Sequence, residues 1–176
     1  MEKELLFLGH IVSDGGIKAD PDKIKAINNM QRPTSVKQVR CFLGMVAYLR
    51  KYIKDCGKLT TPINDLTKGN AKRKFVWTPE HDKNFHALKQ ALNEAPILQY
   101  PNNNGCYELE LDASDTAIGA VLSIRQPGQQ DFLPVCYKSR KLTNTKQRYP
   151  IHDKELHAIY HACKKWQCYL EGHLNV

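Results

Sequence analysis

The chain has 176 residues, 41% hydrophobic and 25% charged, with a formal charge of +8, enough apolar material for one medium domain or two small ones. No stretch approaches the roughly 18 uninterrupted apolar residues of a membrane span, and Met1-Glu2-Lys3-Glu4-Leu5 has neither the basic start nor the small-residue cleavage site of a secretory signal. Membrane and secreted classes are set aside, and an intracellular setting, cytoplasmic or nuclear, is expected.

The charge is uneven. Residues 1–78 hold 15 Lys+Arg against 7 Asp+Glu, and residues 79–176 hold 11 of each. A clustered basic surface points to phosphate contacts, although a solvated basic face gives the same count. The six cysteines, Cys41, Cys56, Cys106, Cys136, Cys163 and Cys168, include no C-x-x-C pair. Six reduced thiols are expected, rather than a zinc ribbon or a redox pair.

Residues 5–12 form an apolar run before the turn signal Ser13-Asp14-Gly15-Gly16. They read as one strand, a tight turn and a short return at Ile17. Asp20-Pro21 caps a short helix with Ile24, Ile27 and Met30 on one face, ended by Pro33. Ser35 and Gln38 match a capping box. They open a helix in which Val39, Phe42, Val46, Leu49 and Ile53 recur at helical spacing, with Gly57 as its close. Lys37, Arg40, Arg50, Lys51 and Lys54 interleave with that stripe, as a solvated flank or a phosphate track. Thr61-Pro62 opens a third short helix, followed by a basic loop containing Lys72, Arg73 and Lys74. Thr78-Pro79-Glu80 starts a fourth, with Phe85, Leu88 and Leu92 buried and Ala95-Pro96 as its end.

After the loop at residues 101–105 the period changes to two. Tyr107, Leu109 and Leu111 alternate with Glu108, Glu110 and Asp112, giving a strand with one apolar and one acidic face. Residues 117–124 and 132–137 read as two more strands, with Pro134 marking an edge or bulge. Short links between them predict an antiparallel meander. A long helix from about Pro150 follows, its stripe Leu156, Ile159, Cys163, Trp166 and Leu170, its stop Gly172. A further strand starts at His173.

Asp112 on a strand and Glu155 early in a helix could together hold Mg²⁺ and, with a second ion, act on a phosphodiester. Acids at such positions also serve as caps and solvated groups. His157, His161 and Cys168 share a helix face with Cys163 and His173 nearby, but their spacing matches no closed zinc pattern.

Phe7-Leu8-Gly9-His10-Ile11-Val12-Ser13 and the segment Val36–Ile53 resemble the end of the palm and the thumb of a gypsy-type LTR-retrotransposon reverse transcriptase. Phe75-Val76-Trp77-Thr78 and Ala95-Pro96-Ile97-Leu98 are similar to the link that follows. Leu111-Asp112-Ala113-Ser114-Asp115 with residues 116–122, and Tyr149-Pro150-Ile151-His152-Asp153-Lys154-Glu155 with residues 156–159, resemble the first two RNase H motifs.

The resemblance implies an α+β chain in four parts: palm-end strands over residues 1–18, a helical thumb over 19–75, a connecting helix and linker over 76–104, and a partial RNase H-like sheet over 105–176. It implies that Asp112 and Glu155 are metal carboxylates, with Mg²⁺ as the family's ion. It implies that the helix from Ser35 lies along the minor groove of a template–primer duplex. No Asp-Asp pair of a polymerase site occurs, and the family's third and fourth RNase H carboxylates fall beyond Val176. The expectation is therefore a host-domesticated, non-catalytic module derived from a retrotransposon that binds RNA–DNA or double-stranded nucleic acid, a protein partner or a second copy through exposed strand edges. The alternative is a fragment of an active reverse transcriptase–RNase H that cuts RNA in hybrids with two metal ions.

Overall fold

The computed structural model describes residues 4–69 and 75–171. The run at residues 5–12 is two strands rather than the single expected one. β1 (Glu4–Phe7) and β2 (His10–Ser13) pair antiparallel through a two-residue turn at Leu8 and Gly9. Their φ values of 46° and 66° are both positive, the geometry whose twist suits a tight hairpin. β3 (Gly16–Ala19) completes a β1-β2-β3 sheet. Its free side meets Leu98: the Ile17 N–H donates to the Leu98 carbonyl at 2.8 Å and the Leu98 N–H returns the bond at 2.9 Å. That approach needs glycine at position 16, where a Cβ would lie 2.3 Å from the Leu98 oxygen.

α1 (Pro21–Asn29) starts as expected, with Asp20 Oδ1 accepting the Asp22 N–H at 2.9 Å. α2 (Val36–Leu49) begins at Ser35. Gln38 caps one residue earlier than a capping box requires, its Oε1 accepting the Thr34 N–H at 2.7 Å. Val39, Phe42, Val46 and Leu49 are buried. The helix does not run on to Gly57. It tightens into a 3-10 turn at Arg50–Tyr52, and Asp55, at φ 54°, redirects the chain.

α3 (Cys56–Asp65) then contains both Gly57 and Pro62, so neither residue marks a boundary. Pro62 gives up one backbone donor. The Thr60 and Thr61 hydroxyls add bonds to the carbonyls of Cys56 and Gly57, each at 2.7 Å. Burial of Cys56, Ile63 and Leu66 outweighs the proline's preference for a first turn. α4 (Pro79–Asn93) is capped by Thr78, with His81 Nδ1 accepting the Thr78 N–H at 2.9 Å. Phe85, Leu88 and Leu92 join α1–α3 in one core, with Phe42 and Phe85 ring centroids 4.6 Å apart.

β4 (Cys106–Ala113), β5 (Ala117–Arg125) and β6 (Leu133–Lys141) form the expected antiparallel meander, ordered β4-β5-β6. The register shifts at Leu122/Ser123, where Ser123 lies opposite Pro134. This accommodates a proline on an edge strand. Beyond α5 (Asn144–Gln147), α6 (Ile151–Lys165) packs on the sheet, and α7 (Gln167–Leu170) follows Trp166.

The buried face of α6 is not the expected one. Lys154, Ala158 and Ala162 face inward with Trp166, whereas Leu156 is 64% and Ile159 43% exposed and Cys163 is exposed. Only Trp166 and Leu170 of the expected stripe reach the core. Alanines let the helix axis approach the sheet, and the larger side chains are turned out. Gly172 and His173, expected as a helix stop and a strand start, lie outside the described residues.

The other sheet face rests on the helical half. The Gly57 N–H donates to Ser139 Oγ at 2.5 Å, and Lys141 Nζ meets Asp65 at 3.0 Å. Side-chain alternation along β6 thus sends Tyr137, Ser139 and Lys141 toward the helices, and Cys136, Lys138 and Arg140 toward α6.

Candidate nucleic-acid interface

The β1–β2 turn docks on the end of α2 through aromatic and polar contacts. The Tyr48 hydroxyl donates to the Leu8 carbonyl. His10 stacks on Tyr48 with centroids 5.3 Å apart, and its Nδ1 lies 3.0 Å from the Tyr52 hydroxyl. Lys23 Nζ sits 5.0 Å from the Tyr48 ring centroid, within cation–π range. Gly9 is required twice over: its φ is positive, and a Cβ would lie 2.5 Å from Lys23 Cε and 2.6 Å from the Tyr48 hydroxyl. Burial, with Lys51 and Lys23 nearby, holds the His10 pKa below its ordinary value against a smaller opposing effect of Asp20. Burial raises that of Tyr52, helped by Tyr48. A neutral His10 accepting the Tyr52 O–H satisfies both groups.

Beside this junction runs a cleft of about 360 Å³ lined by Lys23, Ile27, Arg40, Cys41, Gly44, Met45 and Tyr48. Arg40 is the one residue of the expected basic track in its wall. Lys37 stands exposed one turn earlier on α2. Arg50 lines a second cleft, of about 240 Å³, against Gly57, Ser139 and Lys141. Lys51 is half-buried, its Nζ 5.2 Å from the Tyr52 ring centroid. Lys54 pairs with Glu110 at 3.4 Å, so its charge is partly answered within the fold. Lys72, Arg73 and Lys74 lie outside the described residues. Lys23 and Tyr48 were not among the residues expected at this surface. Only the docking of a hairpin 40 positions upstream of Tyr48 makes them neighbours, and no local pattern carries that.

The two carboxylates are both exposed. Asp112 lies opposite Gly119 in the β4–β5 ladder. It shares a narrow cleft with Asp55, Lys58, Ser114 and Ser139, on the sheet face that meets α3. Asp55 reaches the same glycine: a Cβ on Gly119 would lie 2.6 Å from Asp55 Oδ1 and 3.9 Å from Asp112 Cβ. Glu155 is on α6 and does not line that cleft. Its neighbour Lys154 is buried and donates to Asp115 Oδ1 at 2.9 Å, tying the β4–β5 turn to α6. That bond holds the Asp115 pKa below its ordinary value.

Among the described residues no group of three or more His, Cys, Asp or Glu could hold a metal ion. Asp112 and Glu155 therefore have no third such ligand grouped with them among the described residues. His157 and His161 lie with ring centroids 6.2 Å apart, while Cys163 and Cys168 are exposed. All six cysteines are free thiols. Burial pushes Cys56 and Cys136 up to about 11, which keeps both protonated and unreactive. No helix among the described residues is long and apolar enough to cross a membrane.

The chain is 38% identical over 181 residues to the retrovirus-related Pol polyprotein from transposon opus of Drosophila melanogaster, covering 98% of this chain and 18% of that polyprotein. It is 35% identical over 171 residues to the transposon Tf2-3 polyprotein of Schizosaccharomyces pombe, covering 97% and 13% respectively. The chain thus spans less than a fifth of the length of these relatives. Its fold is similar to that of a foamy viral protease–reverse transcriptase dRH in complex with double-stranded DNA, with a TM-score of 0.77 and 24% identity over 97% of this chain and 29% of that one. A foamy viral protease–reverse transcriptase in complex with RNA/DNA hybrid also gives a TM-score of 0.77, at 23% identity over 97% of this chain and 23% of that one. The profile of the RNase H-like domain found in reverse transcriptase matches residues 77–176. With that match over more than half the chain, this protein belongs to the RNase H-like domain family of reverse transcriptases.

Proposed function

We propose that this chain is a duplex-gripping module of a retrotransposon-type reverse transcriptase that binds double-stranded nucleic acid without cutting it by itself. The observation that carries this reading is the cleft along α2, where Lys23, Arg40, Gly44 and Tyr48 combine cations, a small residue and an aromatic face. Exposed Lys37 extends the positive charge along the helix. Among the described residues neither Lys37 nor Arg40 has a carboxylate at ion-pair distance. Phosphates are the chemistry that such cations answer. The two foamy viral structures are themselves complexes with double-stranded DNA and with an RNA/DNA hybrid, which supports the same reading here.

Asp112 and Glu155 stand in this reading as the two positions matching the family's metal carboxylates. Mg²⁺ would find too few ligands in them to hold an attacking water. A protein contact belongs to the reading as well. Leu5, Leu6 and Phe7 on the outer strand of the first sheet, with Leu8 in the turn that follows, are 57–74% exposed, and a bare apolar edge is a surface that proteins cover.

The test is binding of a labelled RNA–DNA hybrid across a salt series. Affinity should fall steeply with salt, and Lys37→Gln combined with Arg40→Gln should cut the slope of log K against log salt by about 2. Binding that ignores salt and both substitutions rejects the reading. Mg²⁺-dependent cleavage of the hybrid that vanishes in Asp112→Asn would replace it with hydrolysis.

A further inference from the structure

Residues 79–176 are neutral on average, yet the fold separates their charges. Residues 79–137 hold 3 Lys+Arg and 8 Asp+Glu, whereas residues 138–165 hold 8 Lys+Arg and 2 Asp+Glu. The acids Glu108, Glu110 and Asp112 lie along β4 and the bases Lys138 and Arg140 along β6, at opposite edges of the sheet.

The bases continue beyond β6. Lys138 and Arg140 stand on the α6 side of the strand beside His161. His161 lies against His157, and Lys146 of α5 donates from Nζ to His157 Nε2 at 2.8 Å. Lys165, at the end of α6, and Arg50, from the 3-10 turn of the helical half, both act on Lys138. Cations thus run from the helical half across β6 to α5.

None of Arg50, Lys138, Arg140, Lys146 or Lys165 has a carboxylate at ion-pair distance among the described residues. Elsewhere the fold does pair its cations: Lys54 with Glu110, Lys141 with Asp65 and Lys154 with Asp115. Like charges gathered without counterions raise the free energy of the fold, and an external polyanion relieves that repulsion.

We propose that the β6–α6 band, centred on Lys138, Arg140 and His161 and flanked by Lys146 and Lys165, is a second binding site for the phosphate backbone of a nucleic-acid strand. It extends the duplex-gripping reading and is separate from the α2 cleft. His161 gives it a pH response. Arg140, Lys138, His157 and Lys146 face it. Burial and these cations keep its imidazole neutral, with a pKa below the ordinary value. A phosphate placed beside it favours the charged form, so acidification adds a donor to the band.

The experiment measures fluorescence anisotropy of a labelled DNA duplex with the full 176-residue chain between 50 and 200 mM NaCl. Lys138→Gln combined with Arg140→Gln should weaken binding about tenfold or more at low salt and reduce the salt slope by about 2. Affinity within twofold of wild type and an unchanged slope overturn the proposal. If that variant fails to fold, Lys146→Gln with Lys165→Gln must show the same two effects, and their absence overturns it. Lys37→Gln with Arg40→Gln, run in parallel, separates the two sites. Loss there alone leaves the α2 reading standing and rejects the band; loss in the β6 variant alone does the reverse. Loss of binding to phosphatidylserine vesicles without loss of duplex binding assigns the band to a membrane surface and overturns the proposal. Duplex affinity of the wild type should rise several-fold between pH 7.5 and 5.5, and a rise that persists in full in His161→Gln overturns the place of that histidine in the band.

Discussion

The two halves of the molecule manage the same basic side chains differently. In the helical half the excess charge is visible in the composition, and α2 carries it beside an apolar stripe. In the sheet half the composition is neutral, and the charge appears only when β4 and β6 are set at opposite edges. Net charge over a segment therefore says little about the field a segment creates. What matters is which elements carry each sign and where the topology sends them. The helical half also packs large residues on large residues, Phe42 on Phe85, whereas α6 meets its sheet through alanines.

The largest effect should come from the helical core. Phe85→Ala removes a side chain that is 2% exposed and packs against both Phe42 and Trp77. It should cost about 3–5 kcal/mol in urea denaturation. A loss under 1 kcal/mol would show a core loose enough to collapse around the void, and the contrast between halves would disappear.

The α6 face gives a sharper comparison. Ala158→Leu forces extra volume between the helix and Ile118 and Leu142, and should destabilise by about 1–3 kcal/mol. Leu156→Ala, on the outward face, should change stability by less than about 0.5 kcal/mol. Periodicity alone predicts the reverse, because it counts hydrophobicity and assigns the core to the larger residues. Equal effects at the two positions would mean that α6 lies on the sheet in another rotation.

That reversal shows where the sequence was readable. Asp20-Pro21, Ser35 and Thr78-Pro79 set three helix starts correctly, since caps act within one turn of chain. The meander was legible from alternation in β4 and the turn signals after it. The Leu8-Gly9 hairpin was hidden inside an apolar run, because Leu8 adopts a positive φ that its residue type does not advertise. Gly57 and Pro62 looked like boundaries, but tertiary burial of Cys56 and Ile63 carried α3 through both. Asp112 lies on the polar face of β4 that alternation marks. Its neighbours Asp55 and Lys58 come from a helix start more than 50 positions away, and no spacing rule connects them.

Gly9→Ala tests how firmly the first sheet is held to the helical half. The backbone strain is about 1–2 kcal/mol, and the new Cβ must also displace Lys23 and Tyr48. Thermal melting should drop by several degrees. Lys23→Ala with Gly9→Ala should recover part of the loss, because one of the two close contacts is then gone. No recovery would place the whole cost in the backbone.

The smallest effect expected is in the pH dependence of stability, and it again divides the halves. His10 in the first sheet, against the helical half, and His157 and His161 in the sheet half have folded pKa values below the ordinary 6.5. The unfolded chain therefore takes up protons first as pH falls. The stabilising contribution is present above the unfolded value and is lost as pH falls from about 6.5 through the lowered folded values. Asp65 behaves in the same direction at lower pH. Burial opposes its ionisation, but the hydrogen bonds from Lys141 and Lys68 prevail and hold its pKa below 3.8, so its contribution is lost only in strong acid. Denaturation at pH 7.5 and 5.5 should show a decrease for the wild type. His10→Gln, whose side-chain oxygen can still accept the Tyr52 hydroxyl, should lessen that decrease without lowering stability at pH 7.5 by much. A pH dependence unchanged in His10→Gln but abolished in His157→Gln with His161→Gln would place the whole acid response in the sheet half.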